Sequence, residues 1–436
     1  MDELHTPEVQ GCMQVLSKAR NPYDAVMAWA LLRGRHPNLF GMVVLSDYDQ
    51  CWLPDSFSKY TSGSDAYLVP YFSGDKLYFL DDAGLIEMFS GKEQSFRFGI
   101  DYTIMFDTNI ASYINRIVHG EPLGDVQNKV IPLLDNVLRD NLNFDHMFYM
   151  VENVKVVHRQ LRKNYASRLD FWRTLSKGHR RNMVSLQLFN GVDCESYKKT
   201  LNPRTEFSYR EATRNAVDFS YNFYMSNEGK KSALAFVLLQ RIILLHLIGM
   251  IRIQLSSSKG VKKKMSEYFE FINEVVGAYF DRESIIAHKY FMDRRQVRLL
   301  ESIKVGMSPV RLLKKLDNIA WDLAAPRFME RLIVDGGNGR YFVPAFMSLD
   351  SKLREVLGLY PVKGVVFNRK NGAITPIVEI SVREYFEEHG CLDELARLHS
   401  EPVRSKRLSR PRLDRLAAHS IIRKEYKCLR RIVQGR

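Results

Sequence analysis

YTIMFDTNIASYI, residues 102–114, decides the fold. Tyr102 to Phe106 reads as a short strand made to be buried, and Asp107, Thr108 and Asn109 follow at once, before a segment with helical character. FVPAFMSLDSKLREV, residues 342–356, repeats the device: an apolar run ends at Asp350 and a helix follows. In open α/β sheets ligands bind beyond the carboxyl ends of parallel strands. Two carboxylates at two such ends are expected to meet there.

Working outward, residues 1–95 read as a small mixed region. A helix is expected over 13–34, then strand-like runs in GMVVLSDYDQ and DAYLVPYFSGDKLYFLDD, broken by SGSD and SGDK turns. From Ile131 the spacing turns helical, and a long helical stretch runs from about Tyr209 to Leu316 with a break near SSSKG, 256–260. Pro326 in LDNIAWDLAAPRFMERL predicts an end or kink. DGGNGR reads as a turn, YFVPAFMSL as a strand, SKLREVLGLY as a helix, and VVFNRKNGAITPIVEI as a hairpin turning at Asn371-Gly372. A basic helix follows SRPR, and no internal repeat is visible.

The chain of 436 residues carries a formal charge of +14, which favours an anionic partner, nucleic acid before a membrane surface. The charge is uneven. Val154 to Arg181 holds nine lysines and arginines against Asp170 alone, and Glu401 to Arg436 holds 12 against 3 acids. Both blocks are candidates for phosphate-backbone contacts, with Arg159, Arg162, Lys163, Arg180 and Arg181 singled out within the first. Tyr165, Trp172 and Tyr426 stand among the basic residues as candidates for base stacking, or else as core anchors. His158 and His179 are read as surface or phosphate-facing groups, and His246, in LLHLIG, as a satisfied core histidine.

Five cysteines with no CxxC pair argue against a disulfide framework or zinc ribbon and for a reducing cytoplasm. MDELHTPEVQGC is acidic and polar, unlike a signal peptide. The most apolar run, residues 234–255, is interrupted by Gln240, Arg241, His246 and Arg252, so it reads as a core helix and no membrane partner is expected. GxSxG and HExxH motifs are absent from the sequence, and IVDGGNGRYF lacks the lysine of a phosphate loop.

An aspartate after a strand is often just the N-cap of the next helix. With two more acids, though, Asp107 and Asp350 would form a cluster able to hold a hard divalent cation, which takes oxygen ligands and keeps several waters. Thr108 and Asn109 would then cap the following helix and hydrogen-bond Asp107 or a water on the metal.

FDTNIASYI resembles the opening motif of the PIN-like nucleases, in which a hydrophobic strand ends in Asp-Thr-Asn or Asp-Thr-Ser before a helix. The other acids follow in the family's order. FYMVENVKVV offers Glu152, LDNIAWDLAAP offers Asp322, with Asp317 as its alternative, and FMSLDSKLREV offers Asp350. Glu206 and Glu211 compete with Glu152. The resemblance covers three islands: 102–114, about 145–155, and 316–357. It departs from compact members in placing 170 positions between Glu152 and Asp322, which requires a large helical insertion at about 156–310.

The resemblance implies an α/β fold: a PIN-like core over 96–360 with a central, mostly parallel sheet flanked by helices. The mixed N-terminal region precedes this core, and 361–436 extends it as a hairpin and basic tail. It implies a metal-dependent endonuclease acting on RNA before DNA, with Asp107, Glu152, Asp322 and Asp350 as catalytic acids and ligands of Mg²⁺ or Mn²⁺. A toxin or anti-phage setting, and a homo-oligomer or regulatory protein partner, are expected of large decorated members. Two other readings stay open: a non-catalytic nucleic-acid-binding protein on an inactive PIN-like core, and a structural helical protein whose acids are only caps. A DNA nuclease related to flap endonucleases is a variant of the first.

Overall fold

The computed structural model describes residues 3–48, 61, 67–82, 85–86, 100–334, 341–411 and 413–435. The SGSD and DGGNGR turns and Cys51 lie outside them. Helices α1 (Pro7–Lys18) and α2 (Pro22–Arg33) lead to strands β1 (Leu39–Val44), β2 (Leu68–Pro70) and β3 (Leu77–Leu80). Strand β4 (Ile100–Phe106) enters α3 (Thr108–Val118), then α4 (Gln127–Arg139), β5 (Phe144–Asp145) and α5 (Met147–Val157). A helical run follows: α6 (Arg168–Thr174), α7 (Lys177–Asn190), α8 (Cys194–Thr200), α9 (Tyr209–Met225), α10 (Asn227–Ser256), α11 (Val261–Phe271), α12 (Asp281–Met292), α13 (Arg298–Glu301) and α14 (Pro309–Val334). Strand β6 (Tyr341–Met347), α15 (Ser351–Gly358), β7 (Val362–Asn368) and β8 (Ala373–Val378) come next. The chain ends in α16 (Val382–Glu388), α17 (Leu392–His399), α18 (Glu401–Leu408) and α19 (Arg415–Val433).

The result is an α/β protein, dominated by helix, with two four-stranded sheets. One has the order β2-β6-β4-β5: β4 runs parallel to β5 and β6, and β2 is antiparallel to β6. Thr103 to Phe106 and Val343 to Met347 are buried without alternation, as strands covered on both faces should be. The other sheet, β3-β1-β7-β8, is wholly antiparallel. It pairs β1 with β7, so the N-terminal region and the hairpin after residue 361 share one sheet, while β2 crosses to the other. A core under α1 and α2, centred on Trp29, Leu39 and Val43, covers this sheet.

Local signals explain many boundaries. Thr6 and Asn21 cap α1 and α2, each followed by a proline at the first helical turn. Ser208 and Glu211 form a capping box on α9. Helix α10 has the length and apolarity to cross a membrane, but 67% of its most apolar stretch is buried inside the protein. Its His246 is satisfied on both sides, with Nδ1 2.7 Å from the Tyr268 hydroxyl and Nε2 3.0 Å from the Ala278 carbonyl.

Pro326 neither ends nor divides α14, which continues to Val334. Burial outweighs the missing amide: Leu323, Ala324, Ala325 and Met329 are all in the core. Ion pairs also pin this segment. Arg327 pairs with the fully buried Glu283, and Arg282 with Glu330 at 3.1 Å, where Tyr71 also donates its hydroxyl at 2.9 Å. α14 is thereby fixed to α12 and to the segment after β2.

Candidate functional site

The register of β4 on β6 builds the site. Phe106 stands opposite Met347, so the two strands end level and their next residues are neighbours. Asp107, 4% exposed, caps α3: its Oδ1 accepts from the Ile110 amide at 2.6 Å. Its Oδ2 accepts from the Ser348 hydroxyl at 2.7 Å, and that same oxygen of Ser348 accepts from the Asp350 amide at 3.0 Å. Ser348 thus ties the two strand-end acids together.

Glu152 reaches the same point from α5. The Thr108 hydroxyl and amide (3.3 Å) donate to its Oε2, and Lys155 Nζ pairs with its Oε1 at 3.0 Å. Asp322 arrives from α14. Burial first, and then the charges of Glu152, Asp350 and Asp107, push its carboxyl pKa up to about 7, while Lys155 works the other way. Asp107 is also raised to about 7, chiefly by burial and further by Glu152, against the amide of Ile110 and the hydroxyl of Ser348. Asp322 therefore lies within electrostatic reach of the acids at 107, 152 and 350. The group opens outward from fully buried Asp107, through half-buried Glu152 and Asp322, to exposed Asp350.

Other sequence candidates fall elsewhere. Asp317 pairs with Arg241 at 3.1 Å and accepts from Gln240 at 3.1 Å, away from the acids. Glu211 is spent on its capping box, and Glu206 is exposed before α9. Thr108 bonds Glu152 rather than Asp107, because Asp107 is itself the cap. Asn109 is exposed, and its backbone amide helps hold the Asp107 carboxylate.

Arg159, Arg162 and Lys163 are exposed; Arg180 and Arg181 are half-buried, and Arg181 pairs with Glu121 at 2.7 Å. The aromatic residues are anchors, not stacking platforms. Trp172 is buried, Tyr165 packs edge-on against Phe171, and Tyr426 donates its hydroxyl to the Pro309 carbonyl. His179 is no surface group: it is buried with Nδ1 3.1 Å from the Tyr149 hydroxyl, and burial lowers its pKa to about 4. His158 is half-buried, with Nδ1 2.8 Å from the Lys155 carbonyl.

Two participants, Ser348 and Lys155, escaped sequence reasoning, and so did a further buried acid, Asp145. Ser348, two residues before Asp350, has the spacing of a local side-chain turn. Lys155 was hidden within the basic block. Asp145 is the last residue of β5, opposite Met105; it accepts from Thr103 at 2.7 Å and the Met147 amide at 2.7 Å, and burial raises it to about 6.

The donors are all carboxylate oxygens, the type that suits Mg²⁺ or Mn²⁺. Among the described residues no three histidine, cysteine or acidic side chains form a ready-made metal cage. Thr108 and Lys155 draw Glu152 toward themselves, so any ion here would rely on few direct carboxylates and on water. No protein-family model matches the chain, and the search of curated proteins and of solved structures returns no significant match.

Proposed function

We propose that this chain is a metal-dependent endonuclease with a PIN-like core, built on a central, mostly parallel sheet flanked by helices, that hydrolyses phosphodiester bonds of RNA. The observation that carries the reading is the convergence, through the β4–β6 register and Ser348, of acids from positions 107, 152, 322 and 350. Asp107, Asp350, Asp322 and Glu152 would hold Mg²⁺ or Mn²⁺, directly or through water. The bound ion would neutralise a phosphate and make water a better nucleophile.

The chain's own residues do the rest. Ser348 keeps Asp107 turned toward the strand ends, and Thr108 orients Glu152. Crowded, partly buried carboxylates prefer a cation to one another, as the raised Asp107 and Asp322 values express. Exposed Asp350 leaves the site open to a long substrate, and exposed Arg159, Arg162 and Lys163, together with half-buried Arg180 and Arg181, supply cationic charge for its phosphates. A cytoplasmic location and a toxin or anti-phage setting fit such an enzyme.

Incubation of labelled RNA with the protein and Mn²⁺ or Mg²⁺ tests this. Cleavage that chelator stops, and that Asp107→Asn and Asp350→Asn each abolish without unfolding the protein, is expected. Undiminished cleavage by both variants refutes it. A second reading, a nucleic-acid-binding protein on an inactive core, is favoured by the Lys155–Glu152 pair, which already occupies one carboxylate. It requires binding indifferent to chelator and no cleavage with either metal.

A further inference from the structure

The two basic segments lie 220 or more positions apart in sequence and meet in space. From the acids, Lys155, Arg159 and Arg162 follow Glu152 at three, seven and ten residues. The backbone stays right-handed helical through His158 and Arg159 into the turn Gln160–Arg162, so these side chains share one side. Helices α5 and α19 both pack against α10, and the Arg162 charge reaches Arg415, the first residue of α19, where it adds to burial in lowering the Arg415 pKa. Arg415 Nη1 is shielded from water and has no hydrogen-bond partner among the described residues. Asp414 offsets part of this charge, and its Oδ1 already accepts from the Ala417 amide at 2.7 Å as the N-cap.

Beyond Arg415, α19 sorts its residues by face. Ala418, Ile422, Leu429 and Val433 are buried, and α19 packs against α10. The sole acid of α19, Glu425, is turned inward to Arg252 at 2.6 Å. Arg423, Lys424, Lys427 and Arg431 are exposed and line a depression of about 480 Å³. Among the described residues no acid pairs with any of them. Like charges brought together without counter-charges cost free energy, and a phosphate chain relieves that cost.

We propose that Lys155, Arg159, Arg162, Arg415 and the outer face of α19 form one continuous track for the phosphate backbone of a nucleic-acid strand, leading it to the acidic group. The track rests on the nucleic-acid reading above and extends it to a second, distant segment of chain. An anionic membrane suits it less well, because a membrane-surface helix needs its apolar face free, and that of α19 is spent on α10.

The test is binding, not cleavage, so it succeeds or fails apart from catalysis. The full-length Asp107→Asn protein, in chelator, is titrated against a fluorescent single-stranded RNA by anisotropy between 50 and 200 mM salt. Each lost contact should reduce the slope of log affinity against log salt by about 0.7. The pair Arg162→Gln/Arg415→Gln, and independently the exposed pair Arg423→Gln/Lys427→Gln, should each lower it by about 1.4. Lys370→Gln, in the β7–β8 turn, should leave it unchanged. Slopes equal to the parent's in both pairs overturn the track. So does a loss, in those pairs, of binding to phosphatidylserine vesicles or to an acidic peptide while RNA binding stands.

Discussion

Ser348 donates its hydroxyl to Asp107 across 241 positions of sequence, at 2.7 Å, in a fully buried setting. One side chain thus holds together the ends of two parallel strands and the acids that follow them. Replacing Ser348 with alanine leaves one Asp107 oxygen buried without its donor. We expect a stability loss of about 1–3 kcal/mol by denaturant unfolding. We also expect a fall in metal-dependent cleavage that Ser348→Thr partly restores.

The elevated carboxyls make stability depend on pH. Asp322 has its pKa raised from 3.8 to about 7, so the protonated form is favoured on folding. Its penalty is absent below about pH 4, grows as pH rises, and is complete above about 7. Asp322→Asn removes the titration. Without metal, its Tm should match that of the parent at pH 4 and exceed it at pH 8 by about 2 °C or more. Saturating Mn²⁺ should shrink the gap. A gap that is constant with pH contradicts the account.

Lys155 competes with any cation for Glu152, which it meets at 3.0 Å. Lys155→Met should therefore bind Mn²⁺ several-fold more tightly, as read by electron paramagnetic resonance titration. If Lys155 also guides phosphate, the same variant should lose RNA affinity in chelator. Weaker Mn²⁺ binding would show that the lysine does not oppose the ion.

The ion pairs behind α14 hold the helix that carries Asp322. Arg282→Met leaves Glu330 without its cation in the interior and should cost about 3–5 kcal/mol in chemical denaturation. Adding Glu330→Leu should recover most of that loss, because the stranded charge is then gone. A double variant no more stable than the single would mean that the guanidinium acts through packing alone.

What could be read in advance was local. An apolar run ending abruptly in aspartate announced Asp107 and Asp350, and helical spacing placed Glu152 and Asp322 on helices. The sequence offered Asp322 first and Asp317 as its alternative; only tertiary packing decides which of two acids on one helix meets Arg241. The pairing of β1 with β7 was hidden for the same reason: nothing in LFGMVV specifies a partner more than 300 residues away. His179 misled through its basic neighbours, since the charges stay outside while the ring turns in, and for Trp172 the core-anchor alternative holds. Pro326 does not end its helix, because the helix rule is local and the surrounding core holds the segment together.

The pairing of β4 with β6 also sets a timetable. A ribosome must add more than 230 residues after Asp107 before the strand that brings Asp350 exists. Contacts so distant along the chain form late and slowly. A polypeptide that stops before Asp350 therefore carries Asp107 and Glu152 but no complete acidic group.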